Sequence, residues 1–210
     1  MRKVTKVVVL IITLLVPVII YIFLKTFGTN QYDLPIFYEQ GVISSSSVDC
    51  SYAEGKVHTI PDFELFAGNG EILTGTSIQD HFSVFHFFKS TNSKENKDVS
   101  FELARVQDAF SEPQLKILSI AIDSVDQEGN QFYRNVNSEN KSNWIFLNGD
   151  KSEIQKLLNC GFVIWDHPTK RDDSFPLVLI DKEKRIRGYY DGGSRKEVDR
   201  LILEINVLLN

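Results

Sequence analysis

The 210-residue sequence contains only two cysteines, Cys50 and Cys160. Two thiols are too few for the disulfide framework of a small secreted domain, and too few for a four-thiolate zinc site. Basic residues are also in the minority, because 23 Lys and Arg stand against 28 Asp and Glu. The net charge of −5 argues against a general nucleic-acid-binding protein, since phosphate binding requires a basic surface.

Common catalytic patterns are missing as well. The sequence has no glycine-rich phosphate loop, no serine-based triad pattern and no zinc-ligand motif. Its composition is ordinary, with 42% apolar and 24% charged residues, which excludes a wholly disordered or collagen-like chain. The length suits one domain of usual size with an appendage.

The appendage lies at the N-terminus. The stretch from Val7 to Leu24 is apolar apart from Thr13 and Tyr21. A helix of this length, at about 1.5 Å per residue, is just long enough to cross the hydrocarbon core of a bilayer. Basic residues precede the stretch and only Lys25 closely follows it. The positive-inside rule therefore predicts a cytoplasmic N-terminus in the cell (inner) membrane and a soluble part on the extracytoplasmic, periplasmic face.

A cleaved signal peptide is the alternative to a membrane anchor. A signal peptide has a shorter apolar core that ends at a cleavage site of small residues, and residues 25–30 contain no A-x-A pattern. No cysteine directly follows the apolar stretch, so a lipoprotein is not indicated. We predict that residues 1–25 hold the cytoplasmic N-terminus and an uncleaved, single-pass transmembrane anchor.

The remaining chain divides into a linker and one domain. Residues 26–57 contain glycine, proline and a run of four serines without sustained periodicity, which predicts a stalk. Strands are predicted at residues 82–88, 115–122, 161–164, 177–180 and 185–190. Helices are predicted at residues 99–110, 127–140, 150–158 and 194–208. Strands that alternate with helices, followed by a hairpin and a last helix, indicate an α/β thioredoxin-like fold over residues 58–210, with a central mixed sheet flanked by helices.

Several short segments of this domain resemble the Sco/SenC family. That family comprises membrane-anchored thioredoxin-fold proteins linked to copper delivery and cytochrome c oxidase assembly. The similarity rests on the order and spacing of the segments rather than on any one of them. They are residues 60–63 (Ile-Pro-Asp-Phe), 85–88, 105–110 (Arg-Val-Gln-Asp-Ala-Phe), 143–151, 179–181 (Leu-Ile-Asp) and 185–192.

The resemblance implies a copper and redox site whose ligands this chain lacks. The family uses two cysteines spaced C-x-x-x-C in the loop after the first central strand, together with a distant histidine. The corresponding positions here hold Asn92, Asn96 and Asp173. Carboxamides cannot exchange disulfides and bind copper poorly. We therefore expect a degenerate site with no catalytic residue, no metal and no cofactor.

Other residues could bind a metal or take part in catalysis, but we favour a structural interpretation of each. His86 lies inside a predicted buried strand and is interpreted as a hydrogen-bonded core residue. His58 and His81 are interpreted as surface residues at the domain edge, and His167 as part of a solvated polar loop. Arg185 and Arg187 alternate on the predicted hairpin. We interpret their side as a solvated face, with a partner surface as the alternative.

Three interpretations of the two cysteines remain open: a structural disulfide, unpaired cysteines or a functional thiol. An extracytoplasmic location permits a disulfide, but the bridge requires the predicted stalk to fold back, so we favour unpaired cysteines. A copper-binding or thiol-handling protein with Cys50, Cys160 and His167 as relocated ligands is the alternative function, with copper as its cofactor.

The favoured hypothesis is a membrane-anchored, extracytoplasmic protein that has lost the Sco/SenC redox site. It would act by binding a protein partner, as a non-redox accessory factor in oxidase or copper-protein assembly, and would not bind nucleic acid. An enzyme that uses Lys94 and Glu95 of the same loop is a third hypothesis.

Overall fold

A computed structural model of the chain describes residues 3–27, 34–42, 50, 55–68, 70–89, 94–110, 113–123, 143–164 and 175–209. The chain forms two compact units, Met1–Asp33 and Leu34–Asn210. The second unit thus begins inside the segment predicted as a stalk.

The N-terminal unit contains one helix, α1 (Lys3–Phe27). Within it, Thr5–Phe23 is long and apolar enough to cross a membrane, with a mean hydropathy of 2.8. The Thr13 hydroxyl donates to the Val9 carbonyl at 2.8 Å, so this polar side chain is satisfied within the helix. The predicted apolar helix is confirmed.

The second unit is built on a seven-stranded mixed sheet. Its strands are β1 (Glu64–Ala67), β2 (Ile72–Thr74), β3 (Phe82–Phe88), β4 (Leu115–Ala121), β5 (Trp144–Asn148), β6 (Leu177–Ile180) and β7 (Ile186–Tyr190). Their spatial order is β2-β1-β5-β4-β3-β6-β7. The neighbours β3, β4 and β5 run parallel, and every other neighbouring pair is antiparallel. The predicted α/β class with a mixed central sheet is confirmed.

Two layers cover the faces of the sheet. The described residues of this unit form the helices α2 (Lys94–Ala109), α3 (Lys151–Lys156) and α4 (Arg195–Leu209). Helices α2 and α4 cover one face with apolar side chains spaced three and four positions apart, as their sequence pattern predicts. The opposite face is covered by shorter pieces, which include α3 and a π-helical turn at Leu157–Gly161.

Some predicted elements differ from the structure. Residues 161–164 form no strand, because the Phe162 N–H closes the π-helical turn by donating to the Leu157 carbonyl at 2.8 Å. Strands β1, β2 and β5 were absent from the predicted pattern. The helix predicted within residues 127–140 lies outside the described residues.

The two arginines of the β6–β7 hairpin do not share a solvated face. Arg187 is only 6% exposed. Its Nη1 donates to Asp181 Oδ2 at 3.2 Å, and Arg185 Nε donates to the same oxygen at 2.8 Å. The prediction of a solvated face was wrong for Arg187, because the buried Asp181 carboxylate draws both guanidinium groups toward the hairpin turn.

Candidate functional site

The loop between β3 and α2 is the position of the implied copper site, and the structure describes one of its three ligand positions. Asn96 lies in the first turn of α2, and its Nδ2 donates to the Lys89 carbonyl at 2.7 Å. The Asn96 carbonyl in turn accepts from the Ser100 hydroxyl at 2.6 Å. Asn96 therefore connects the end of the strand to the start of the helix. Asn92, Asp173 and His167 lie outside the described residues.

A buried polar network lies in the strands beneath this loop. His86 is 2% exposed, and its Nδ1 is 3.2 Å from Ser119 Oγ. Trp144 Nε1 donates to the same Oγ at 2.9 Å. Since an indole N–H can only donate, Ser119 Oγ accepts from Trp144 and also shares a hydrogen bond with His86 Nδ1. The prediction of a hydrogen-bonded core histidine is confirmed.

The environment of His86 keeps its ring neutral. Burial lowers the pKa of His86 to about 3. The ring stacks on Phe88 with centroids 5.5 Å apart, and Phe88 packs edge-on against Phe146 at 6.5 Å. The Phe146 ring of β5 thus packs against Phe88 at the carboxyl end of β3. Among the residues that the structure describes, no group of three His, Cys, Asp or Glu side chains is arranged to hold a metal ion.

The two cysteines form a disulfide. Cys50 and Cys160 are 110 positions apart in the chain, with Cα atoms separated by 5.5 Å. Our preference for unpaired cysteines was wrong, because residues 34–42 fold back and place Phe37 and Tyr38 against the core of the domain. In this oxidised state neither sulfur is a thiolate, so neither can serve as a relocated metal ligand.

His58 lies beside the disulfide-bonded turn rather than on an open surface. Its Nε2 donates to the Gly161 carbonyl at 2.6 Å, and its ring meets Tyr38 edge-on with centroids 6.0 Å apart. Burial lowers the pKa of His58, and the hydrogen bond to Gly161 opposes part of that shift. The prediction of a surface histidine was wrong. Its partner lies 103 positions away, and no local pattern signals the contact.

A small cavity opens at another place, between residues 61–63 and residues 153–157. Its volume is about 90 Å³. Small-molecule sites usually occupy about 300–1,000 Å³, so this cavity is too small to form a substrate pocket.

No known family profile and no curated protein sequence matches this chain. Solved structures do match it. A SCO1/SenC family lipoprotein from Bacillus anthracis is 17% identical, with 73% of this chain and 96% of that chain covered and a TM-score of 0.61. BsSco, a member of the Sco family of cytochrome c oxidase assembly proteins, is 14% identical, with 73% and 94% covered and a TM-score of 0.59. Copper-bound ScoI from Bradyrhizobium japonicum is 18% identical, with 70% and 98% covered and a TM-score of 0.54. The predicted resemblance to the Sco/SenC family and the thioredoxin-like fold are confirmed at the level of the fold.

Proposed function

We propose that this chain is a membrane-anchored, extracytoplasmic protein of Sco/SenC type that acts as a non-redox accessory factor in copper delivery and cytochrome c oxidase assembly. One observation carries the proposal. The chain shares the fold of Sco structures, and Asn96, which we align with a family cysteine, is hydrogen-bonded to the Lys89 carbonyl.

The chemistry of the loop supports a binding role over a catalytic one. Thiol–disulfide exchange needs an attacking thiolate, and a carboxamide has no equivalent. Copper ions favour thiolate and imidazole ligands, and the loop offers Asn92 and Asn96 instead. The two cysteines of the chain are joined to each other, 110 positions apart, rather than placed in this loop. The protein would therefore act through contacts with a partner protein and catalyse no reaction.

Two observations support the proposed location. The helix α1 contains a span of 19 residues, Thr5–Phe23, that is long and apolar enough for a membrane anchor. The Cys50–Cys160 disulfide fits an oxidising compartment, because cytosolic thiols are kept reduced. With basic residues before the helix, the proposed orientation places the N-terminus in the cytoplasm and the domain outside it.

A copper titration tests the loss of the metal site. The full chain in detergent is titrated separately with Cu(I) and Cu(II), and uptake is followed by absorbance and native mass spectrometry. We expect no tight, stoichiometric uptake by the oxidised protein. The matched control carries Asn92→Cys, Asn96→Cys and Asp173→His, and is expected to gain one copper ion per chain. Tight binding of one copper ion by the unaltered chain would refute the proposal.

A second variant distinguishes our proposal from the alternative with relocated ligands. In that alternative Cys50, Cys160 and His167 bind copper or handle thiols, which requires the disulfide to open first. Changing both cysteines to serine abolishes the activity under the alternative. Under our proposal, cells that carry the double serine variant assemble as much cytochrome c oxidase as cells with the unaltered chain.

A further inference from the structure

A short N-terminal segment covers one edge of the central sheet. We call residues 34–42 the strap. Strand β7 is the last strand of the sheet, and the Phe37 N–H of the strap donates to its Ile186 carbonyl at 2.9 Å. The Phe37 ring also meets Tyr189 of β7 edge-on, with centroids 5.2 Å apart. The strap thus occupies hydrogen-bonding capacity that an exposed edge strand would offer to another chain.

Hydrogen bonds from β7 and from His58 hold the strap. Arg187 Nη2 donates to the Leu34 carbonyl at 2.5 Å, and the His58 N–H donates to the Tyr38 carbonyl at 3.1 Å. Both Phe37 and Tyr38 are only half-buried. Segments with few buried apolar contacts open at a small fraction of the global unfolding free energy. We therefore expect the Cys50–Cys160 disulfide to have a large influence on whether the strap stays bound to β7.

The disulfide is anchored in a firmly held turn. Cys160 belongs to the π-helical turn, where the Gly161 carbonyl accepts from His58 and the Phe162 carbonyl accepts from the Tyr189 hydroxyl at 2.7 Å. Val163, which follows, has a φ of +48°, a region that a β-branched residue adopts only when its surroundings enforce it. The Cys160 side of the bridge is therefore held in place by hydrogen bonds to the domain, whereas Cys50 follows the strap in the chain.

We propose that the Cys50–Cys160 disulfide is a redox-controlled fastening of the strap, and that its reduction uncovers the edge of β7. Both cysteines are half-buried, so an external thiolate has a path to the bond. The reductant is a dithiol. One of its thiolates attacks one sulfur of the bridge, which breaks the bond and leaves a mixed disulfide and one cysteine thiolate. The second thiol of the reductant then resolves the mixed disulfide. The two cysteines gain two electrons and two protons, and the dithiol becomes a disulfide.

Hydrogen exchange on the full chain in lipid nanodiscs tests the proposal, with dithiothreitol as the dithiol. On reduction, we expect the peptide that spans residues 34–42 to exchange at least tenfold faster. The β6 peptide, residues 177–180, is expected to keep its protection, which shows that the domain remains folded. The Cys50→Ser, Cys160→Ser double variant is expected to show the fast strap exchange with or without dithiothreitol.

Three results would overturn this inference. The bridge would not be redox-controlled if dithiothreitol reduced it only after the domain had been unfolded. Unchanged strap protection after complete reduction, verified by thiol alkylation and mass, would show that the strap does not depend on the bond. Simultaneous loss of protection in β6 would show that the disulfide stabilises the whole domain. None of these results bears on copper uptake, so the proposed function and this inference fail separately.

Discussion

Lowering the pH should destabilise this domain through His86. Burial lowers the pKa of this histidine to about 3 in the folded state, whereas its ordinary value is 6.5. Below pH 6.5 the unfolded chain therefore binds a proton that the folded chain does not, and stability falls as the pH is lowered toward 3. Because one pKa unit corresponds to about 1.4 kcal/mol, the loss between pH 7.5 and pH 5 amounts to about 2 kcal/mol.

Urea unfolding of the full chain in detergent, followed by tryptophan fluorescence at both pH values, measures this loss. The matched variant is His86→Asn, whose side-chain amide can still form a hydrogen bond with Ser119 Oγ near the position of Nδ1. The variant is less stable at both pH values because it leaves a small void, but it lacks the titration. All other titratable groups are the same in both proteins, so their contributions cancel in the comparison. If both proteins lost the same free energy between pH 7.5 and pH 5, His86 would not be the buried neutral group described above.

Two further substitutions test the anchoring of the hairpin and the start of α3. Asp181→Asn removes the buried carboxylate that Arg185 and Arg187 share and should cost about 3 kcal/mol in urea unfolding. In the control, Asp62→Asn removes the ion pair between Lys184 and Asp62, whose side chain is 83% exposed, and should cost less than about 1 kcal/mol. Equal losses of stability in the two variants would contradict the burial argument. Asp150 accepts from the N–H groups of residues 152 and 153, and Asp150→Ala should lower the urea concentration at the unfolding midpoint because it removes this helix cap. Asp150→Ser should recover most of that loss, and a serine variant as unstable as the alanine variant would rule out a capping role.

The strongest sequence patterns identified most of the domain. Strand β3 is buried at all seven positions, and a run of seven residues that is apolar apart from Ser83 and His86 predicts a central strand. Helix α4 shows apolar side chains at helical spacing, and the buried Val198, Leu201 and Ile205 confirm it. These elements were predictable because their burial pattern is continuous over more than one turn or over a whole strand.

Shorter elements were missed because only tertiary contacts define them. Strand β1 has four residues and alternates exposed with buried positions, and β2 has three residues. Each forms a strand because its neighbour in the sheet supplies hydrogen bonds, which no local pattern reveals. Residues 161–164 show the opposite error, since an apolar segment of strand composition instead closes a π-helical turn.

The candidate site was predictable only in its chemistry. The absence of cysteine and histidine at positions 92, 96 and 173 is visible in the sequence itself. The disulfide, the hydrogen bond from His58 and the burial of Arg187 are not, because their partners lie 110, 103 and 153 positions away. Contacts at such separations depend on how the whole chain closes.

The layer on the sheet face opposite α2 and α4 joins residues that are far apart in the sequence. This arrangement has a consequence for the synthesis of the chain. The N-terminal residues leave the ribosome first. The strap and His58 can contact their partners only after residues 157–189 have also left the ribosome. Contacts between distant parts of a chain form slowly, and apolar surface stays exposed until they do. The side chains of Phe37, Tyr38 and Ile60 therefore lack these partners until the last part of the domain has been synthesised.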